Sequence, residues 1–301
     1  MQTDNAQTPD SVNSLRHLLG KLDSGTAPFR LGTQSRRVLA AMLEQPGVSA
    51  MASITELAER FGVNASTLSR LAQRLGFSGF GGLQELFRLE LSDSGGHFYS
   101  DQARLLAGEE SSPGIGLLAR LGRQESGNIA AMIDNLDPAS FDRACELLAK
   151  APRVRFHAMR QFHSLSYFLA YGLGMIRKDV APLASSSQGI ADALSSLEPG
   201  DLLVVASCFP YTTSVLKTAE VAREMGLDVV ALTDSAGSPL KAQASCSFQI
   251  PNQSLFYSNA MAAFFVFAEA LLSEVAHRLG DDAVEALRRR ETLIGELGQL
   301  S

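Results

Sequence analysis

The sequence predicts an N-terminal all-α helix-turn-helix bundle followed by a C-terminal α/β unit, a doubly wound, mainly parallel sheet. Three observations lead there. Residues 54–77 hold two amphipathic helical patterns around a Gly turn. From residue 153 onward, short apolar runs alternate strictly with helical stretches. The charge is also split. Residues 11–91 carry nine basic against six acidic side chains, a net of +3, which leaves −9 on the rest of a chain whose formal charge is −6. A mildly basic head on an acidic body fits a protein that turns one face to DNA, whereas the total excludes a general polyanion binder.

The 301 residues, 46% hydrophobic and 19% charged, suffice for two domains with real cores. Cys145, Cys208 and Cys246 are few and far apart, so neither a disulfide framework nor a zinc site is expected, and no metal or cofactor. The polar residues 1–10 lack the apolar core of a signal peptide, and no window matches a membrane span; a cytoplasmic protein is expected.

Taken in order, residues 1–10 are expected to fray. Val12, Leu15, Leu18, Leu19 and Leu22 have helical spacing, and Pro28 interrupts. Residues 34–44 make a second helix with Val38, Leu39, Met42 and Leu43 inward, ended by Gln45-Pro46-Gly47. Ser53 and Glu56 have the capping-box spacing that opens a third. Ile54, Leu57, Ala58 and Phe61 form its buried face, and Gly62 its C-terminal break. Val63 fills the angle between the two helices. Asn64 or Ser66 caps the next, whose Leu68, Leu71, Ala72 and Leu75 point inward. Residues 77–82 read as a turn whose two Phe side chains plug the small core, and residues 83–91 as a fifth helix.

Facing out from the second helix of the pair are Ser66, Thr67, Ser69, Arg70, Gln73 and Arg74. Short hydroxyls in a first turn reach phosphates or base edges without bulk, and Arg70 and Gln73 are long enough for base edges in a major groove. An ordinary helical hairpin with a solvated face shares the pattern. The short Gly turn and the surrounding basic residues favour the DNA-reading alternative.

Residues 92–96 and 108–114, rich in Ser, Gly and acids, bound a linker expected over 92–114. The second domain is expected over 115–280, with a C-terminal helix or tail over 281–301. Residues 115–136 and 138–149 are helical, the latter started by Asp137-Pro138. Extended runs follow at 154–158, 179–184, 202–207, 228–233 and 246–250, with helical stretches at 162–175, 188–194, 213–225, 239–244 and 258–279. Leu202-Leu203-Val204-Val205-Ala206 is apolar throughout, as a parallel strand buried on both faces must be.

In such sheets ligands sit beyond the carboxyl ends of the strands. Four segments sit there: residues 158–164, the triple serine Ser185-Ser186-Ser187, residues 207–214, and Thr233-Asp234-Ser235. Hydroxyls and free amides at helix N-termini hold anions, phosphate above all. Each hydroxyl alone is more often a helix cap; four converging segments favour a pocket.

The run from Ile54 to Phe80, ending Leu75-Gly76-Phe77-Ser78-Gly79-Phe80, resembles the helix-turn-helix domain of RpiR-type bacterial transcriptional regulators. The second half resembles the sugar isomerase (SIS) domain that these regulators carry. Ser207 through Thr212, and Ala231-Leu232-Thr233-Asp234-Ser235 with Ser238-Pro239-Leu240, look like its phosphosugar-binding signatures. The resemblance covers roughly residues 11–280. It implies that where the family's first turn has glycines and a serine, this chain has Ala158, Arg160 and Phe162. Arg160 then supplies a charged partner, or Ser164 a hydroxyl. The family's serine–threonine loop is widened here by Phe209-Pro210-Tyr211, with Thr212 standing for its second serine and Val215 for its threonine.

The expected effector set is Arg160, Ser164, Ser207, Tyr211, Thr212, Thr213, Thr233 and Asp234. The leading reading is a transcriptional regulator that binds a double-stranded operator as a homodimer or homotetramer and senses a phosphorylated sugar or related metabolite. Its alternatives are a DNA-binding protein whose SIS domain only dimerises, and a phosphosugar isomerase. An isomerase needs a positioned base. His157, His163 and a Glu269 expected to be buried are its only candidates, and no catalytic residue is assigned. Arg288-Arg289-Arg290 beside Glu285 and Glu291 reads as a solvated helix face.

Overall fold

A computed structural model describes residues 8–23, 27, 29–93, 98–108, 114–184, 189–235, 238–252 and 254–298. The chain divides into two compact units. The first comprises Met1–Glu110 with Ser235–Gly237 and Leu255–Ser258, the second Ser111–Asp234, Ser238–Ser254 and Asn259–Ser301.

The described part of the first unit is helical: α1 (Val12–Asp23), α2 (Thr33–Glu44), α3 (Pro46–Met51), α4 (Ile54–Phe61), α5 (Ala65–Arg74), α6 (Phe80–Asp93) and α7 (Phe98–Gly108). Its core joins Val12 and Leu15 of α1, Val38, Leu39 and Met42 of α2, Leu57 of α4, Leu68 and Leu71 of α5, and Leu83 and Phe87 of α6. Phe80 is buried and Phe77 packs against the same core. The helix expected over 83–91 begins earlier, at Phe80, and two segments carry a helix that the sequence reading does not name. Gln45-Pro46-Gly47 does end α2, but Pro46 at the first helical position then opens α3, because its fixed φ suits a helix start. The expected linker contains α7, whose Gln102-Ala103-Arg104-Leu105-Leu106-Ala107 core is a run of good helix formers between two Ser/Gly clusters.

The second unit opens with α8 (Ile115–Asn135) and α9 (Pro138–Lys150). It continues through β1 (Val154–Ala158), a 3-10 turn (Arg160–Phe162), α10 (His163–Ile176), β2 (Val180–Pro182), α11 (Ile190–Ser195) and β3 (Leu202–Ala206). Then come α12 (Thr213–Glu224), β4 (Asp228–Thr233), a second 3-10 turn (Pro239–Gln243), β5 (Cys246–Gln249), α13 (Ala262–Leu279) and α14 (Asp281–Glu296), which packs on α10. All pairings are parallel, in the order β2-β1-β3-β4-β5, with Val154 beside both Val180 and Leu202.

Alternation along the strands makes two cores. Phe156, Ala158, Val204, Ala206, Val230 and Leu232 face α9, α10 and α13. Leu203, Val205, Val229 and Ala231 face α11 and α12. The sheet is thus wound on both sides, and the strand order reverses between β1 and β3. In open sheets of this kind, ligands bind beyond the carboxyl ends of the strands at that point. At the opposite end, Arg153 donates to the buried Asp201 carboxylate at 2.8 Å and anchors the start of β1 on the turn before β3.

Candidate functional site

In the helical unit, the pair α4–α5 is built as its residues dictate. The Ser53 hydroxyl accepts from the Glu56 N–H at 3.2 Å, and the Glu56 carboxylate accepts from the Ser53 N–H at 2.7 Å. Gly62 ends α4 with φ 63° and ψ 44°, a conformation costly for any residue with a Cβ. Asn64 holds the N-cap position of α5, where its side chain makes no capping hydrogen bond. Leu68, Leu71, Ala72 and Leu75 are buried. Ser66, Arg70, Gln73 and Arg74 are exposed, while Thr67 and Ser69 are half-buried. The Ser69 hydroxyl donates back to the Ala65 carbonyl at 3.3 Å, so it is engaged with its own helix.

Supports that the sequence reading missed come from neighbouring helices. Gln84 of α6 donates to the Ser49 and Ala52 carbonyls at 3.0 and 2.8 Å, and Arg88 to the Ala50 carbonyl at 3.0 Å. They satisfy the end of α3 and set the entry into α4. Arg37 of α2 donates to the Phe61 carbonyl at 3.1 Å, a cation at the carboxyl end of α4. A polar residue three helices away carries no local signal, though Gln84 and Arg88 do share one face at i, i+4 spacing.

In the α/β unit, the loops after β1, β3 and β4 meet at the carboxyl edge of the sheet. Ser207 follows β3, and its hydroxyl accepts from the Thr212 N–H at 3.0 Å, closing the loop that leads into α12. Thr233, the last residue of β4, has its hydroxyl 2.9 Å from the Ser207 carbonyl and 2.7 Å from the Ser238 hydroxyl. The Asp234 carboxylate accepts from the Phe209 N–H at 3.4 Å. Tyr211 is buried, edge-on to Phe209. Thr212 precedes α12 without a side-chain cap bond, and Thr213 is exposed in its first turn. The Thr213 and Ser214 N–H groups belong to the turn that no helix satisfies internally.

The loop after β1 joins this group through Arg160, which donates to the Pro210 carbonyl at 3.2 Å. Arg160 has φ 58°, the left-handed region that glycine favours and arginine enters only at a cost. The long side chain reaches the β3 loop from a backbone turn of glycine type. The Ser164 hydroxyl is exposed and donates to the Gln161 carbonyl at 2.8 Å. Arg160, Ser207, Tyr211, Thr212, Thr213, Thr233 and Asp234 thus belong to one loop cluster, with Ser164 at its edge in α10. Ser185, Ser186 and Ser187 lie outside the described residues.

Two residues considered for base chemistry separate. His163 is exposed at the start of α10. His157 is buried in β1, and burial first, then the charge of His163, pushes its pKa down. Glu269, expected to be buried, is exposed. The inward positions of α13 are Phe264, Phe267, Ala268 and Leu271, and helical spacing turns residue 269 outward. Among the described residues no group of His, Cys, Asp and Glu is arranged to hold a metal ion, and no helix is long and apolar enough to cross a membrane.

Comparison with known proteins agrees with both units. Residues 25–94 match the helix-turn-helix domain of the rpiR family and residues 147–273 match the SIS domain. The chain is 29% identical over 244 residues to the HTH-type transcriptional regulator HexR of Pseudomonas aeruginosa, covering 79% of each protein. The fold is shared with the Vibrio vulnificus NanR protein complexed with ManNAc-6P, at TM-score 0.58 and 19% identity over 93% of this chain and 98% of that one. It is also shared with the sugar isomerase domain of an RpiR transcription factor from Sphaerobacter thermophilus, at TM-score 0.56 and 23% identity over 58% of this chain and 98% of that one. A capped helix-turn-helix with a polar outer face, a five-stranded parallel sheet and these matches agree: the chain carries the rpiR-family helix-turn-helix domain followed by a SIS domain, the make-up of a transcriptional regulator.

Proposed function

We propose that this regulator reads its operator with α5 and senses a phosphorylated sugar, or a related anionic metabolite, in the crevice between β1 and β3. Ser66, Thr67, Ser69, Arg70, Gln73 and Arg74 form the DNA-reading set, the long side chains on base edges and the hydroxyls on phosphates. Arg160 and the first turn of α12 hold the phosphate, and Ser164, Ser207, Tyr211, Thr212, Thr213, Thr233 and Asp234 complete the site. The chain acts as a homodimer or tetramer, since two half-sites one helical turn apart need two heads. The effector acts by binding the DNA-competent and DNA-incompetent states unequally.

One observation carries the effector assignment: Arg160, held in a glycine-type turn, reaches the β3 loop at the switch point of the sheet. NanR complexed with ManNAc-6P supplies a first probe. The test is thermal unfolding of the full chain with a panel of sugar phosphates, followed by operator binding with and without the compound that shifts it. The expected result is a raised midpoint and an altered operator affinity, with Thr212→Val keeping DNA binding and losing the response. A panel that shifts nothing favours a SIS domain that only dimerises.

A further inference from the structure

His157 is the fourth residue of β1, beside Val205 of β3 in register. Phe156 and Ala158 point into the α10/α13 core, so alternation puts His157 on the other face. Among the described residues, Leu183, Leu203, Val205, Val229 and Ala231 lie on that face. His157 is only 6% exposed, and its Nε2 is sealed from water with no hydrogen-bond partner. Buried polar atoms in folded proteins are almost always paired, and one that is not calls for an explanation. A leucine would fill the same space without leaving an unpaired nitrogen. The residue stands one position before the carboxyl end of β1, and the charge of His163, the first residue of α10, reaches it. The crevice that the proposed function assigns to the effector lies at that end.

We infer that His157 is a specificity-determining contact for the sugar moiety, its Nε2 hydrogen-bonding a hydroxyl or carbonyl oxygen while Arg160 and α12 take the phosphate. This rests on the phosphosugar reading of the same crevice. The contact forms when the ring turns into the crevice as the ligand enters. Chemistry divides the labour. Burial keeps the imidazole neutral, with one nitrogen donating and one accepting, which suits a sugar oxygen. A phosphate dianion is better served by the permanent charge of Arg160 and by helix N–H groups.

The experiment titrates the full chain and its His157→Leu and His157→Gln variants by calorimetry. The ligands are glucose 6-phosphate, fructose 6-phosphate, N-acetylmannosamine 6-phosphate, ribose 5-phosphate and inorganic phosphate. For His157→Leu we expect an unfolding midpoint at or above that of the parent, unchanged affinity for inorganic phosphate, and at least tenfold weaker binding of the preferred sugar phosphate. Gln, whose amide reaches the Nε2 position, restores much of that loss. If His157→Leu does not fold, the pair His157→Asn and His157→Gln decides, since Asn reaches only the Nδ1 position. Asn should then lose preference for sugar over phosphate while Gln keeps it. A leucine variant with a lowered midpoint and parental sugar-phosphate affinity, or equal Asn and Gln preferences, overturns the inference and leaves the effector reading standing. A parent chain that binds no sugar phosphate overturns both.

Discussion

At the scale of single residues, the two units use polar groups in opposite ways. On α5 the side chains proposed to read DNA are exposed or half-buried, and the buried leucines lie on the reverse face. Arg70 sits mid-helix, exposed, with Leu68 and Leu71 on the reverse face. Arg70→Ala is expected to cost roughly 1–3 kcal/mol of discrimination between operator and a mismatched site, measured by competitive fluorescence anisotropy. A loss spread evenly over operator and random duplex would reassign Arg70 to a phosphate. In the sheet the informative groups are buried or strained instead. Thr233 and Ser207 lock neighbouring strand ends together, and Arg160 holds a backbone conformation that glycine would hold at less cost. Structures retain such features where a site requires them.

At the scale of elements, the pair α4–α5 depends on how α4 begins and ends. The reciprocal Ser53–Glu56 bonds satisfy two N–H groups that the helix cannot. Ser53→Ala should cost about 1 kcal/mol, seen as roughly fivefold faster hydrogen exchange at the first amides of α4. Unchanged exchange there would show that the α6 contacts of Gln84 and Arg88 alone hold the segment. This element was legible in the sequence almost to the residue. Its stop and start signals are local: a cap, a capping partner three residues on, an apolar stripe and a glycine. The strands at 154–158 and 228–233 were legible for a similar reason, since a run buried on both faces has no polar alternation to blur it. The helix over residues 98–108 was left unnamed because its Ser/Gly flanks outweighed a short helical run. Glu269 was misread because an apolar neighbourhood in sequence is not a buried position on a helix.

At the scale of the molecule, the uneven charge makes a prediction that the net charge of −6 would not. Duplex binding should weaken steeply with salt, log K falling against log salt by about 0.9 for each phosphate neutralised. Arg74→Ala should flatten that slope by about one phosphate if Arg74 meets the backbone. A salt-independent affinity would remove the basic head from the binding surface.

The sequence by itself determined the two-unit plan, the capped helix pair, the alternation of strands and helices, and the residue types available to read DNA and hold an anion. These follow from periodicity, capping and composition, which act over a few neighbouring residues. Tertiary structure alone decided the strand order β2-β1-β3-β4-β5, and with it that the Arg160 turn meets the loop after β3. It alone decided that His157 is buried with an unpaired nitrogen while Glu269 faces out. Strand order and side-chain burial depend on contacts between residues some fifty positions apart, such as Arg160 and Pro210. No local pattern records such contacts, because the chain makes them only when the whole sheet closes.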